Sequence, residues 1–333
     1  MPDLAIIGEA YGEQEALQRR PFVGAAGREL QRMLSMAGLS FSTALVTNVF
    51  NERPPSNDVS YFFTDRKSGL PLYGPLRPGR FLNPAHEHHL LRLETELKQA
   101  APKLILALGN SALWFLRRQM PKISKERGTV FQSLYGKAIA TFHPAAVLRD
   151  WSLRPIVIAD LMKAKAESTS REIQRLSREI WIKPTLLDIV DFRARFIDPS
   201  PLLAFDTETT HGQISCISLA PDKTKVLVIP FFDPKSFINY WPSVIEETRA
   251  VMLVKQILEK PLPRKITQNG MYDWQYLRTI GIEACLDEDT MLIHHALWSE
   301  LPKSLGFMGS VHCNEMAWKE LRTRIETTVK VDE

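Results

Sequence analysis

Short apolar runs punctuate the first half of the chain at residues 4–7, 44–47, 104–108 and 138–142, each of a length that suits a buried parallel strand. Between them the apolar period lengthens to that of a helix. Within 28–37, Leu30, Met33, Leu34 and Ala37 form one stripe, and Gly38 is placed to close the helix. Pro84 starts a second helix that runs through Leu97, and Asn110 caps a third over 111–120. This alternation predicts a parallel α/β sheet. Residues 155 to about 180 read as helical and turn highly charged after Met162, which predicts a last helix followed by a connector. A second α/β unit begins at Lys183-Pro184. The stretch 56–84 breaks the pattern: it is rich in Pro and Gly and carries Tyr61, Phe62, Phe63, Tyr73 and Phe81 among basic residues. It reads as a long loop. Its composition suits single-stranded DNA and equally suits packing back onto its own domain.

Length and composition sharpen this picture. A chain of 333 residues, 44% hydrophobic and 24% charged, predicts two globular domains. Apolar runs fall short of the roughly 18 residues a membrane span needs, and residues 1–12 lack the basic and apolar segments of a signal peptide. Neither a membrane nor export is expected. Three widely spaced cysteines, Cys216, Cys285 and Cys313, exclude a disulfide framework and a cysteine-rich metal site, which fits a reducing cytoplasm. The formal charge of +4 is uneven: residues 1–166 hold 22 Lys and Arg against 14 Asp and Glu, and residues 167–333 hold 20 against 24. A basic half beside an acidic half points to nucleic acid on the first and bound cations on the second, with solvated surface charge as the plain alternative.

Candidate chemistry gathers where the first-half strands end. The first strand runs into Gly8-Glu9-Ala10-Tyr11-Gly12, the second ends at Asn48, the third leads to Gly109-Asn110 and the fourth to His143-Pro144. Open parallel sheets bind ligands outside the carboxyl ends of their strands, so a carboxylate, an amide and an imidazole converge there. Taken singly, Glu9 decorates a turn, Asn48 caps a loop and His143 is structural. The glycine spacing matches neither a dinucleotide fingerprint nor a phosphate-cradling loop.

Together, Gly8-Glu9-Ala10-Tyr11-Gly12, Arg20-Pro21-Phe22-Val23-Gly24-Ala25-Ala26-Gly27, Thr47-Asn48 with Arg53-Pro54-Pro55, and His143-Pro144-Ala145-Ala146-Val147-Leu148-Arg149 resemble family 4-type uracil-DNA glycosylases. More narrowly they resemble the glycosylase-like domain at the front of some phage DNA polymerases. The resemblance implies a three-layer αβα domain over 1–166 that excises uracil from DNA in a bacterial or phage-infected cell. It implies base flipping, with Phe22 stacked on the uracil ring, Asn48 paired with its polar edge, and His143 donating to uracil O2 as charge develops on the leaving base. Glu9 or Glu15 positions or activates the attacking water. Gly8, Ala10, Tyr11 and Arg149 complete the substrate-binding set.

Two departures from that pattern stand out. Family 4 enzymes hold an iron–sulfur cluster on four cysteines, whereas residues 1–166 have none and Glu52 stands where one ligand would be, so no cluster is expected. Tyr11 replaces the usual proline of the first motif, which reshapes the pocket. A sister family captures the abasic sugar through a histidine of an inserted loop. Here His86, His88 and His89 follow the insertion, and their plainer reading is the exposed start of a helix.

In the second half, residues 202–210 read as a buried strand ending in acids. Asp206 and Glu208, two apart, point the same way and can share a metal ion. Gln268-Asn269-Gly270-Met271-Tyr272-Asp273 then opens a helix with Asp273 near its start, and a third carboxylate would make a two-metal phosphodiester site. Both motifs in this order resemble the DEDD-type 3′–5′ exonuclease domain of family A DNA polymerases, which implies a ribonuclease H-like mixed sheet over 183–333, after a helical connector at 167–182. Asp289 fits a supporting role better than that of a ligand. The family's third motif, Tyr or His followed four residues later by Asp, is not found, and Asp332-Glu333 falls about where it would begin.

The expectation is an exonuclease-like domain incomplete at its C-terminus, binding Mg²⁺ or Mn²⁺ with weak or absent nuclease activity. Uracil-containing DNA, single- or double-stranded, is the expected partner, along with a polymerase or a C-terminal segment beyond this chain. The alternative reading is a metal-dependent exonuclease or polymerase fragment whose front domain only grips DNA.

Overall fold

The computed structural model describes residues 2–173 and 176–313, and these divide into two compact units. One holds residues 2–173 with 306–313, the other residues 176–305. The stretch 314–333, where a third exonuclease motif would begin, lies outside the described residues. No helix of the described residues is long and apolar enough to cross a membrane.

The first unit is a three-layer sandwich. Its central sheet comprises β1 (Leu4–Ala10), β2 (Leu45–Phe50), β6 (Leu104–Leu108), β7 (Val130–Ser133) and β8 (Gly136–Thr141), in the order β2-β1-β6-β8-β7. All neighbours are parallel except the β7–β8 hairpin. The β1 residues alternate strictly: Ala5 and Ile7 enter the core beneath α3 (Glu87–Ala100) and α4 (Gly109–Arg117). Leu4 and Ile6 enter the opposite core with Leu30, Met33 and Leu34 of α2 (Ala25–Met36) and Val157 and Leu161 of α7 (Leu153–Glu167). Two-sided burial is why these strands read as unbroken apolar runs. The chain leaves β1 for β2 on one side and returns through α3 to β6 on the other, so the strand order reverses between β1 and β6. A crevice at the carboxyl ends is the geometric result.

The aromatic stretch 56–84 is not an open loop. It carries the three-stranded antiparallel sheet β3 (Phe63–Thr64), β4 (Leu70–Arg77) and β5 (Arg80–Leu82), ordered β3-β5-β4. Phe62, Phe63, Tyr73 and Leu82 are buried against the β1 face, and Trp114 Nε1 donates to the Gly74 carbonyl at 3.1 Å. Of the two readings of its aromatics, packing onto the domain accounts for all but Tyr61 and Phe81. The histidines that follow correct a second expectation. His88 is exposed, but His86 and His89 are buried beside Tyr61, Phe62 and Phe50. The insertion folds over the first turn of α3, and desolvation lowers the pKa of both imidazoles.

Helix α7 also stops earlier than the sequence suggests, at Glu167. Ser168 Oγ and Thr169 Oγ1 donate to the carbonyls of Lys165 and Ala166, diverting acceptors that a continuing helix would need. The expected helical connector instead contributes β9 (Glu179–Trp181), paired in parallel with β12 (Lys225–Pro230).

The second unit is a mixed six-stranded sheet. Its order is β14-β13-β10-β11-β12-β9, with β10 (Leu202–Thr210), β11 (Gln213–Ala220) and β12 forming an antiparallel meander. β13 (Arg264–Thr267) lies parallel to β10, and β14 (Glu288–Asp289) parallel to β13. Its core joins Leu203 and Phe205 to α8 (Leu186–Phe192), α9 (Val244–Leu258) and α10 (Gly270–Thr279). Helix α11 (Thr290–Leu297) follows β14. Residues 306–312, within α12 (Leu305–His312), belong to the first unit rather than the second. Buried Arg127 donates to Ser310 Oγ at 2.8 Å and Lys163 to the Cys313 carbonyl at 2.6 Å, which draws that helix away from the span 183–333.

Candidate active site

Strand pairing brings the first chemistry together. Gly8 of β1 sits opposite Asn48 of β2 in register. A Cβ at Gly8 would overlap the Asn48 amide oxygen and lie 2.5 Å from Phe22 Cζ, so glycine is what lets the amide and the ring share this corner. Asn48 is 2% exposed, and its carbonyl accepts from Arg92 Nη2 at 2.7 Å. Arg92 also donates to Thr47 Oγ1 and to Glu96, which locks the end of β2 onto α3.

Phe22 is held in a left-handed conformation, φ 58°, with its carbonyl packed so tightly on Gly27 that a Cβ there would overlap it. A non-glycine residue in this region is strained and persists only where its surroundings fix it. Glu15 helps to fix it: its Oε1 accepts from the Gly24 amide at 2.8 Å, closing the segment that carries Phe22. The ring stacks on His143, with centroids 5.9 Å apart at 28°.

His143 caps α6 (Pro144–Arg149), and its Nδ1 accepts from the Ala145 amide at 3.2 Å. That bond occupies the Nδ1 lone pair, so the neutral ring carries its proton on Nε2. Burial, then the Arg149 cation, pushes the imidazole down to about 4, with Glu15 opposing. The ring is therefore a neutral donor at physiological pH. Glu9, near the end of β1, accepts from Ser111 Oγ at 2.5 Å. The Tyr11 amide donates to the Glu52 carbonyl at 3.1 Å, and burial raises its phenol pKa.

Glu9, Ala10, Tyr11, Glu15, Phe22, Asn48, Ser111, His143 and Arg149 line one cleft of about 720 Å³. Gly8 lies just beneath it. The lining also includes Asn57, Asp58, Arg77 and Pro78 of the insertion and Met120 and Pro121 after α4. Sequence reasoning missed Ser111 and Arg92. A serine inside a helix and an arginine on a helix surface carry no signal of their own, and both act through contacts with strands far away in sequence.

The family profile of the uracil DNA glycosylase superfamily matches residues 1–180. The chain belongs to the uracil DNA glycosylase superfamily. This places it among hydrolases of N-glycosyl bonds. Three relatives are each named type-4 uracil-DNA glycosylase. That of Thermotoga maritima is 34% identical over 167 residues, 49% of this chain and 76% of its own. Those of Saccharolobus solfataricus and Archaeoglobus fulgidus are 30% and 32% identical, covering 51% and 48% of this chain and 74% of each relative. Among solved structures, the Aedes aegypti Nibbler EXO domain aligns at 14% identity over 44% of this chain and 73% of its own, with a TM-score of 0.32, too low to bear on the fold.

The thiolate-held cluster implied by the type 4 resemblance does not fit this superfamily member. Its first 166 residues hold no cysteine, Cys216 and Cys285 lie in the second unit, and Cys313 is a single thiol.

In the second unit, Asp206 and Glu208 stand on the same face of β10, as the two-residue period requires. Desolvation, with Asp273 and then Glu208 nearby, pushes the Asp206 carboxyl up to about 6. Asp273 is buried and turned toward the intervening Thr207, whose amide and hydroxyl both donate to its Oδ1 at 2.7 Å. The three acids are neighbours, but their oxygens do not draw within 4.8 Å of one another as a set. Asp289 accepts from the amides of Gly270 and Met291 at 2.9 and 2.8 Å, tying the start of α10 to the start of α11.

Proposed function

We propose that the first unit removes uracil from DNA by hydrolysing its N-glycosidic bond. A flipped deoxyuridine enters the cleft with its ring against Phe22 and its polar edge on the Asn48 amide. The C1′–N1 bond breaks as water adds at C1′, and negative charge moves onto the departing base. His143 Nε2–H donates to uracil O2 as that charge grows. A preorganised neutral donor in a desolvated site is worth roughly 10²–10³ in rate. Glu9 or Glu15 orients the water and takes its proton, and Arg149 at the rim contacts the DNA backbone. The observation that carries this reading is the His143 ring itself, its Nδ1 filled by Ala145 N, its pKa depressed to about 4, and its face on Phe22.

The test uses the full chain and a 5′-labelled single-stranded oligonucleotide with one uracil, in EDTA, followed by hot alkali. A single cut at the uracil is expected. Asn48→Ala and His143→Ala should each slow single-turnover excision by about 10²-fold or more while DNA binding survives. Normal excision by either variant would sink the site assignment. Glu9→Gln and Glu15→Gln, assayed side by side, identify the carboxylate that handles water.

For the second unit the supported reading is a divalent-cation site on Asp206, Glu208 and Asp273. Desolvation first, and then the Asp273 and Glu208 charges, raise the Asp206 pKa, and a Mg²⁺ or Mn²⁺ ion would offset both by pairing with the carboxylates. With no third motif among the described residues, weak or absent 3′–5′ cleavage is expected when either ion is added to the same assay. Processive shortening from the 3′ end would make this unit a nuclease in its own right.

A further inference from the structure

One cluster of metal-binding side chains lies outside the uracil cleft. Glu52 follows β2, His86 ends the turn Pro84–His86, and His89 lies in the first turn of α3. One ligand atom from each residue falls within 4.8 Å of the others, and among the described residues no other trio of His, Cys, Asp or Glu is gathered so closely. We propose that Glu52, His86 and His89 form a structural binding site for a divalent zinc-like ion.

Four observations carry it. The two histidines are three apart at a helix start, so both rings project to one side, stacked at 15° with centroids 6.1 Å apart. His89 Nε2 already lies 3.2 Å from Glu52 Oε2. His86 is 9% exposed, and its Nδ1 has no hydrogen-bond partner, an orphaned polar atom of the kind that calls for an explanation. Finally, the rings of Tyr61, Phe62 and Phe50 pack against the histidines and hold them in place, while Glu52 is open to solvent on the other side.

The donor set selects the ion. Two imidazoles and one carboxylate suit Zn²⁺, whereas Mg²⁺ and Ca²⁺ prefer all-oxygen shells. Tetrahedral bonds of about 2.0–2.1 Å put ligand atoms roughly 3.4 Å apart, a closure within reach of small side-chain rotations. Water fills the fourth position. The site also reaches the cleft through the backbone. The Glu52 carbonyl holds the Tyr11 amide, and two residues on, Pro54 lines the cleft wall. An ion here would pin the end of β2, the start of α3 and the loop bearing Tyr11 to one another.

The experiment uses the full chain carrying Asp206→Asn and Glu208→Gln, so that the acidic pair of the second unit does not compete. Metal is stripped with a chelator, and Co²⁺ and Zn²⁺ are titrated back. One Co²⁺ per chain is expected to develop the intense visible absorption of tetrahedral coordination, and Zn²⁺ to bleach it. Zn²⁺ at about a hundredfold excess over its dissociation constant should raise the thermal midpoint by roughly 5–10 °C. His86→Gln with His89→Gln should abolish both signals. Absence of the tetrahedral spectrum in the parent protein, or its persistence in the double histidine variant, would overturn the proposal. Neither readout depends on uracil excision, so this inference and the proposed activity can fail separately.

Discussion

A neutral histidine beside a stacking ring is the smallest unit that explains the cleft. Unfolded, the His143 imidazole titrates near 6.5; folded, it is pushed down to about 4. Between those values the unfolded chain binds the extra proton, so His143 favours folding fully above about pH 6.5, and that contribution is lost as pH falls toward 4. Urea midpoints at about pH 7 and pH 5 should therefore drop more for the parent chain than for His143→Asn. The excision rate should show no inflection near 6.5; a step there would mean the ring is charged when it acts. Gly8 offers a second handle. Gly8→Ala forces a methyl group into the corner shared by Asn48 and Phe22, and excision is expected to fall on the order of 10–100-fold. The global melting temperature should move little, because either side chain can turn into the open cleft. An unchanged rate would mean that the Asn48 amide does not read the base.

At the level of elements, the first unit adds buried polar ties to its two apolar cores. Arg127, before β7, and Asp160, on α7, are both buried, and Arg127 donates to both Asp160 oxygens while Thr141 at the end of β8 donates to one of them. Asp160→Ala would leave the guanidinium buried without its counter-charge, at an expected cost of about 3–5 kcal/mol by chemical denaturation. A loss below 1 kcal/mol would show that Arg127 finds solvent. The four parallel strands of this unit were legible because burial on both faces writes an unbroken apolar run, whereas β7, the antiparallel strand of the sheet, was not. The β3-β5-β4 sheet was not, because Pro and Gly mask its short strands and its partners are one another. Strand β9 was missed for a related reason: three residues carry no period, and only pairing with β12 makes them a strand.

The whole molecule sets the surface on which these sites work. Residues 1–166, most of the first unit, carry 22 Lys and Arg against 14 Asp and Glu. Such an excess binds phosphates by releasing condensed counterions. Affinity for a single-stranded oligonucleotide should fall on the order of tenfold or more between about 50 and 200 mM salt, measured by fluorescence anisotropy. A flat response would assign binding to stacking and base contacts instead.

Sequence alone determined the four parallel strands of the first unit and the helices between them, and placed Glu9, Asn48 and His143 near their carboxyl ends, because apolar periodicity and turn residues are local, although β1 and β2 run on past their apolar runs to Ala10 and Phe50. It also paired Asp206 with Glu208, since the two-residue period of a strand is fixed by the backbone. Tertiary structure alone decided that His143 is neutral with its proton on Nε2, that Ser111 and Arg92 serve the cleft, and that His86 and His89 are buried beside Glu52. Those outcomes depend on desolvation and on contacts between residues tens of positions apart, quantities that exist only once the chain has folded.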